Sequence, residues 1–303
     1  MVLRLFTCFY WYKEVLKFII AYSHYSISLN LFFTISLYLA DPQKTIRIAN
    51  PISGDYEYMR PSLIPSILNV VAKNERNFDY IKIYELANIY LPSDRELPEE
   101  EKRLILAVSG IDDENIIYPT GKTFYIAKGA AEIIFAELGI EEDYKTANVS
   151  GFHPGRTAEI KVGEKTIGVI GEIHPDLANA FGLRRPVAVM DIDFEMALKL
   201  SDLVKSYSAI SKFPIVHRDL SFVIDQKILY EEIVASLLKT SPILAKVELL
   251  DVYTGLEEEG RISKTIRLSY QPTEKTLTEE EINQMVKKAM DSLTYKFKAV
   301  VRA

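Results

Sequence analysis

The chain has one cysteine, Cys8, in 303 residues, which excludes an internal disulfide and a thiolate cage for a metal. That scarcity fits a reducing cytoplasm. Its four histidines, His24, His153, His174 and His217, are scattered and lack the ligand spacing of H-E-x-x-H, so no metal site is expected. No Ser-His-Asp or Cys-His grouping stands out, and no catalytic residue is assigned. A basic surplus is missing too. The net charge of -6 argues against wholesale coating of nucleic acid and leaves room only for a local basic patch. What is there, 48% hydrophobic and 26% charged residues, is the composition of a folded globular protein, and the length admits two domains.

Charge is absent altogether from Phe18 to Ala40. The run FIIAYSHYSISLNLFFTISLYLA is long enough to cross a bilayer, but it carries four serines, a threonine, an asparagine and a histidine. A signal peptide would be shorter and would end in a small-residue cleavage site. Three readings of residues 1–45 stay open: a membrane-like stretch, a buried aromatic-rich part of the fold, and a stretch outside the native reading frame. Composition turns ordinary at Asp41-Pro42.

Two motifs resemble catalytic signatures and fail on spacing. His217-Arg218-Asp219-Leu220 opens like a kinase catalytic loop, but Ile224 stands where that loop needs asparagine, and neither D-F-G nor A-P-E follows. Leu220, Phe222 and Ile224 alternate with Asp219, Ser221 and Val223, which is a strand pattern. PTGKTF (119–124) ends like a phosphate-binding loop, but Ile116 occupies the place of its first glycine.

Residues 46–205 mix helices with strands in hairpins, which predicts an α+β domain with a helix-covered antiparallel sheet. RPSLIPSILNVVAKNERN (60–77) is amphipathic, with Ser62 as candidate N-cap. YIKIYELANIYL (80–91) reads as a strand, 92–103 as a polar loop and LILAVSG (104–110) as a short buried strand. Residues 126–140 read as a helix closed near Gly139. Val162–Lys165 reads as a hairpin turn, 176–183 as a short helix and 187–195 as a last strand. GFHPGRTA (151–158) reads as a tight turn, its Arg156 free to grip a carboxylate or phosphate, or paired with a nearby acid. Asp191 and Asp193 share one strand face, read as outward.

From residue 206 the order is βαββαβ, the ferredoxin-like split unit with both helices on one face of four antiparallel strands. Thr278 and Glu281 form a candidate capping box before the last helix. The bare face is a solvated surface or a binding platform. Ile266, Leu268 and Tyr270 point inward, so Thr265, Arg267 and Ser269 point outward, and Lys298 and Arg302 share a side of the last strand. Residues 208–303 carry fourteen bases and fourteen acids, yet 282–303 hold Lys287, Lys288, Lys296, Lys298 and Arg302 against Asp291 alone. That is the footprint of a phosphate contact or of a solvated helix and tail.

LSYQPTEKTLTEEEINQMVKKAMDSL, FPIVHRDLSFVID and ELLDVYTG together resemble the ferredoxin-fold anticodon-binding domain that closes the β subunit of bacterial phenylalanyl-tRNA synthetases. IANPISGDYEYMRPSLIPSILNVVAKN, IKIYELANIYLP, GFHPGRTAEI and IGVIGEIHP resemble the domain preceding it, a class II synthetase-like core without catalytic equipment. The resemblance covers about residues 46–303. It implies an α2β2 assembly, with the α subunit and tRNA(Phe) as partners and neither DNA nor membrane involved. It implies ATP and Mg²⁺ in the holoenzyme but no cofactor on this chain. His174-Pro175 stands where a catalytic core would carry a phosphate-clamping arginine. Arg218, Lys264, Arg267, Lys298 and Arg302 are the candidate tRNA-binding residues. The family's β subunit is much longer, so the reading expects a shortened copy that neither edits nor aminoacylates alone. The competing reading is a free-standing RNA-binding or interaction protein derived from that subunit, tethered to a membrane by residues 18–40.

Overall fold

The computed structural model describes residues 45–51, 57–110, 121–204, 211–256, 258, 260–273 and 275–302. The uncharged run 18–40 lies outside them. The chain divides into two compact units at Lys205/Ser206.

The first unit is built on a six-stranded antiparallel sheet of order β1-β2-β6-β5-β4-β3. Its strands are β1 (Ile81–Leu91), β2 (Glu99–Ser109), β3 (Asp143–Thr146), β4 (Phe152–Val162), β5 (Lys165–Ile173) and β6 (Val187–Asp193). Helices α1 (Ile64–Asn74) and α3 (Pro175–Ala180) cover one face, and α2 (Lys122–Leu138) and α4 (Phe194–Leu200) cover the other. Burial on both faces explains why Leu104–Ser109 read as an unbroken apolar run: Ile105 and Ala107 pack under α1, Leu104, Leu106 and Val108 under α2. Gly139 closes α2 at φ 65°, where a Cβ would also meet the Asp202 carbonyl oxygen at 1.9 Å.

Several local elements differ from what the sequence pattern predicts. β2 starts at Glu99, so the acids of 99–101 belong to a strand paired with β1 and not to a loop. GFHPGRTA is not a turn: Gly151 turns at φ 84°, and β4 begins at Phe152 with a register shift before Thr157. The α1 N-cap is Leu63, although the Ser62 hydroxyl accepts the Ile64 N–H at 3.2 Å. Asp191 is buried, not outward, because the sheet has no open face at that point.

The second unit follows the expected order: β7 (Val216–Asp225), α5 (Tyr230–Leu238), β8 (Leu244–Tyr253), β9 (Arg261–Tyr270), α6 (Glu279–Phe297) and β10 (Val300–Arg302). The sheet is antiparallel, ordered β10-β7-β9-β8. Both helices pack on one face through Ile233, Leu237, Ala289 and Leu293, against Leu220, Phe222, Ile224, Ile266, Leu268 and Tyr270. The Thr278–Glu281 capping box forms, satisfying two of the helix's orphan donors.

Tyr270 is fully buried and its hydroxyl has no hydrogen-bond partner, while burial pushes its phenol pKa up. A buried hydroxyl without a partner carries a desolvation cost that nothing repays. Tyr270→Phe is therefore expected to leave stability within about 0.5 kcal/mol of the parent or to raise it, whereas Tyr270→Ala costs about 3–5 kcal/mol by cavity formation. Urea unfolding of both variants checks this. A loss above about 2 kcal/mol in Tyr270→Phe would show that the hydroxyl has a partner.

Candidate nucleic-acid interface

The uncovered face of the second unit is organised in cross-strand rows, because residues paired across an antiparallel ladder share a face. His217, Ser269 and Lys246 form one row, Asp219, Arg267 and Glu248 the next, and Ser221, Thr265 and Asp251 a third. Each row has a polar tie. His217 Nδ1 lies 2.9 Å from the Ser269 hydroxyl, and the Ser221 and Thr265 hydroxyls are 2.9 Å apart. Arg267 donates to both Asp219 oxygens, Nε at 2.7 Å and Nη2 at 2.8 Å, in a bidentate fork. That hydrogen bonding holds Asp219 below the usual carboxylate range. Lys246 does the same to Glu248 from 2.6 Å. The face is thus a platform of hydroxyls around a fixed guanidinium, with acids offsetting bases.

The five candidate residues divide. Arg267 is on the open face. Arg302 stands opposite Ser221, an open-face position, in the β10–β7 ladder. Lys298 is exposed and caps α6 in the left-handed conformation, φ 53°. Lys264 is on the wrong side for this face. It alternates in step with Ile266 and Leu268, is 6% exposed, and directs Nζ to the Ile228 carbonyl at 3.5 Å and over the Tyr230 ring at 5.9 Å. Burial pulls its pKa down. Arg218 likewise has the parity of Leu220 and Phe222; it is half-buried and donates to its neighbour's carbonyl, His217 O, at 3.0 Å.

In the first unit, Arg156, Arg103 and Arg60 are each held by an acid of that unit. Arg156 donates to the buried Glu172, which also accepts the Thr123 hydroxyl at 2.7 Å. Thr123, the residue that would face a metal in a true phosphate-binding loop, is occupied in this way. Arg103 Nε meets Asp191 at 3.0 Å, and burial, opposed by Arg103, raises the Asp191 pKa. Arg60 pairs with Glu85 at 2.9 Å. His174 is the N-cap of α3, its Nδ1 accepting the Asp176 N–H at 3.2 Å. These residues do not form a nucleotide clamp, and among the described residues no cluster of three His, Cys, Asp or Glu could hold a metal ion.

Residues 19–194 match the model of the phenylalanyl tRNA synthetase beta chain CLM domain, and residues 211–302 that of the ferredoxin-fold anticodon binding domain. The first match takes in much of the uncharged N-terminal run. The phenylalanine–tRNA ligase beta subunits of Clostridium tetani and Moorella thermoacetica are each 32% identical, over 270 and 266 residues; both alignments take in 86% of this chain and 33% of the relative. The chain therefore spans about a third of the length of those relatives. A pyrrolysyl tRNA synthetase structure from Desulfitobacterium hafniense superposes with a TM-score of 0.49 at 16% identity, over 65% of this chain and 67% of that one.

The Asp219–Arg267 fork sets a pH signature. Asp219's folded pKa is depressed, so the pair supports the fold above the unfolded value of about 3.9, and that support is lost as pH falls through the folded pKa. The pair is solvent-exposed, so the direct readout is the carboxyl-carbon titration of Asp219 by NMR. The midpoint is expected below about 3.9 in the parent and near it in Arg267→Met. An unshifted midpoint on removal of the guanidinium contradicts the pairing.

Proposed function

The chain belongs to the phenylalanyl-tRNA synthetase beta chain family, and on that footing we propose that it serves the attachment of phenylalanine to its tRNA by holding the tRNA and docking the catalytic α subunit. The observation that supports this best is the agreement between the anticodon-binding match, residues 211–302, and a unit whose sheet has one uncovered face bearing a fixed arginine. Phosphate contacts position an RNA, and contacts to base edges specify it. Arg267, Arg302 and Lys298 supply positive charge; the hydroxyls of Ser221 and Thr265 and the carboxylates of Asp219 and Glu248 supply groups that can meet base edges. Lys264 and Arg218 support the strands from the covered side.

The holoenzyme of this reading is α2β2 and cytoplasmic, and uses ATP and Mg²⁺ on its α subunit. The first unit serves it as scaffold and α-docking surface, consistent with arginines already paired within it. The free-standing, membrane-tethered alternative is not favoured, because the two matched domains stand in the order of one synthetase subunit. Among the described residues no helix is long and apolar enough to cross a membrane.

Co-expression of this chain with a tagged α subunit, followed by tRNA(Phe) binding at two salt concentrations, tests the reading. Stoichiometric recovery is expected, with affinity falling roughly twentyfold between 50 and 200 mM salt for three phosphate contacts. Arg267→Glu, which places a third acid between Asp219 and Glu248, is expected to weaken binding by about tenfold more. A soluble chain that neither recovers with α nor binds tRNA overturns it. Unchanged affinity in Arg267→Glu removes the sheet face from it.

A further inference from the structure

The uncovered sheet face is close to charge-balanced, and the surplus positive charge of the second unit is elsewhere. On α6, the buried residues Ile282, Ala289 and Leu293 define the inner side. A step of about 100° per residue puts Lys287, Lys288, Asp291, Tyr295 and the cap Lys298 on the opposite side. All five are exposed, and so is Lys296. The helix dipole favours bases in the last turn, which accounts for Lys296 but not for Lys287 and Lys288 near mid-helix.

Two further observations bear on what this side meets, the second beyond the helix closure that the Lys298 N–H makes to the Leu293 carbonyl. Tyr295 is 94% exposed, an aromatic ring at the centre of the solvent side with nothing packed on it. Lys298 holds a left-handed backbone, φ 53°, at the closing position where glycine is the usual residue. A lysine kept there at a backbone cost, beside an unpacked ring, is the pattern of a contact surface.

We propose that the outward side of α6 from Lys287 to Lys298 is a second RNA-contacting surface, on which lysines grip the phosphodiester backbone and Tyr295 stacks an unpaired base. The surface spans about 16 Å along the helix, enough for two or three consecutive phosphates. Single-stranded RNA fits because every base offers a ring face and the lysines are point charges without a bidentate geometry to satisfy. The grip is sequence-tolerant and complements the base-reading groups of the sheet. The proposal rests on the reading of this unit as an RNA-binding module.

Binding of the full chain to two fluorescent probes, a tRNA(Phe) transcript and a twelve-residue oligouridylate, across a salt series tests this. Tyr295→Ala is expected to weaken both probes roughly tenfold, and Tyr295→Phe to keep the parent affinity. Lys287→Gln with Lys288→Gln is expected to reduce the salt slope by about 1.4. Lys298→Gly is expected to weaken binding while raising the thermal midpoint, a combination that a structural role alone would not give. If tRNA binds and none of these variants alters affinity or slope, the helix surface is overturned and the tRNA-binding reading stands. If oligouridylate binds through these residues and tRNA(Phe) binds no better, the surface stands and the tRNA reading fails. If the parent binds neither probe, both are overturned.

Discussion

In the second unit both helices lie on the same face of a four-stranded sheet, and the other properties of that unit depend on this placement. A βαββαβ order brings α5 and α6 together on one side, where Ile233, Leu237, Ala289 and Leu293 meet the even-numbered positions of β7 and β9. The odd-numbered positions have no helix over them; apart from the buried Val223 and Ser269 they are at least partly open to water, and most carry hydroxyls or paired charges. An open antiparallel face needs cross-strand ties to hold its side chains in place, and the Arg267–Asp219 fork supplies the most directional of them. A guanidinium fixed in this way loses little freedom on meeting a ligand.

The first unit solves the opposite problem. Its sheet is covered on both faces, so polar groups on its strands must find partners inside. Asp191 with Arg103, Glu172 with Thr123 and Arg156, and Glu75 with Ser109 and the Arg184 N–H are such arrangements. Each is the sort of buried charge whose removal from one side leaves the other uncompensated. They fix the scaffold from inside.

This difference also explains what could be read from the sequence. Where one face is bare, alternation is a true signal: β7, β9 and the capped helix α6 were legible to within a few residues. The same alternation carried a warning about Lys264 and Arg218, which share the parity of Ile266 and Leu220, but a charged residue is easily taken as outward. Where both faces are covered, alternation vanishes. Asp191 then looks solvated although it is buried, because its partner Arg103 lies 88 positions earlier, beyond any local pattern. The strand start at Glu99 was hidden for another reason: acids have poor strand propensity, and only pairing with β1 holds them there. GFHPGRTA shows turn chemistry in its glycines and proline, yet its second half is held in β4 by pairing with β5.

On the proposed function, the second unit meets the tRNA and the attachment of phenylalanine takes place on the α subunit. Hydroxyl-radical footprinting of tRNA(Phe) bound to the full chain tests this most directly. Protection confined to the anticodon arm is the predicted result. Protection centred on the acceptor end, or none at a protein concentration that saturates binding, would contradict it.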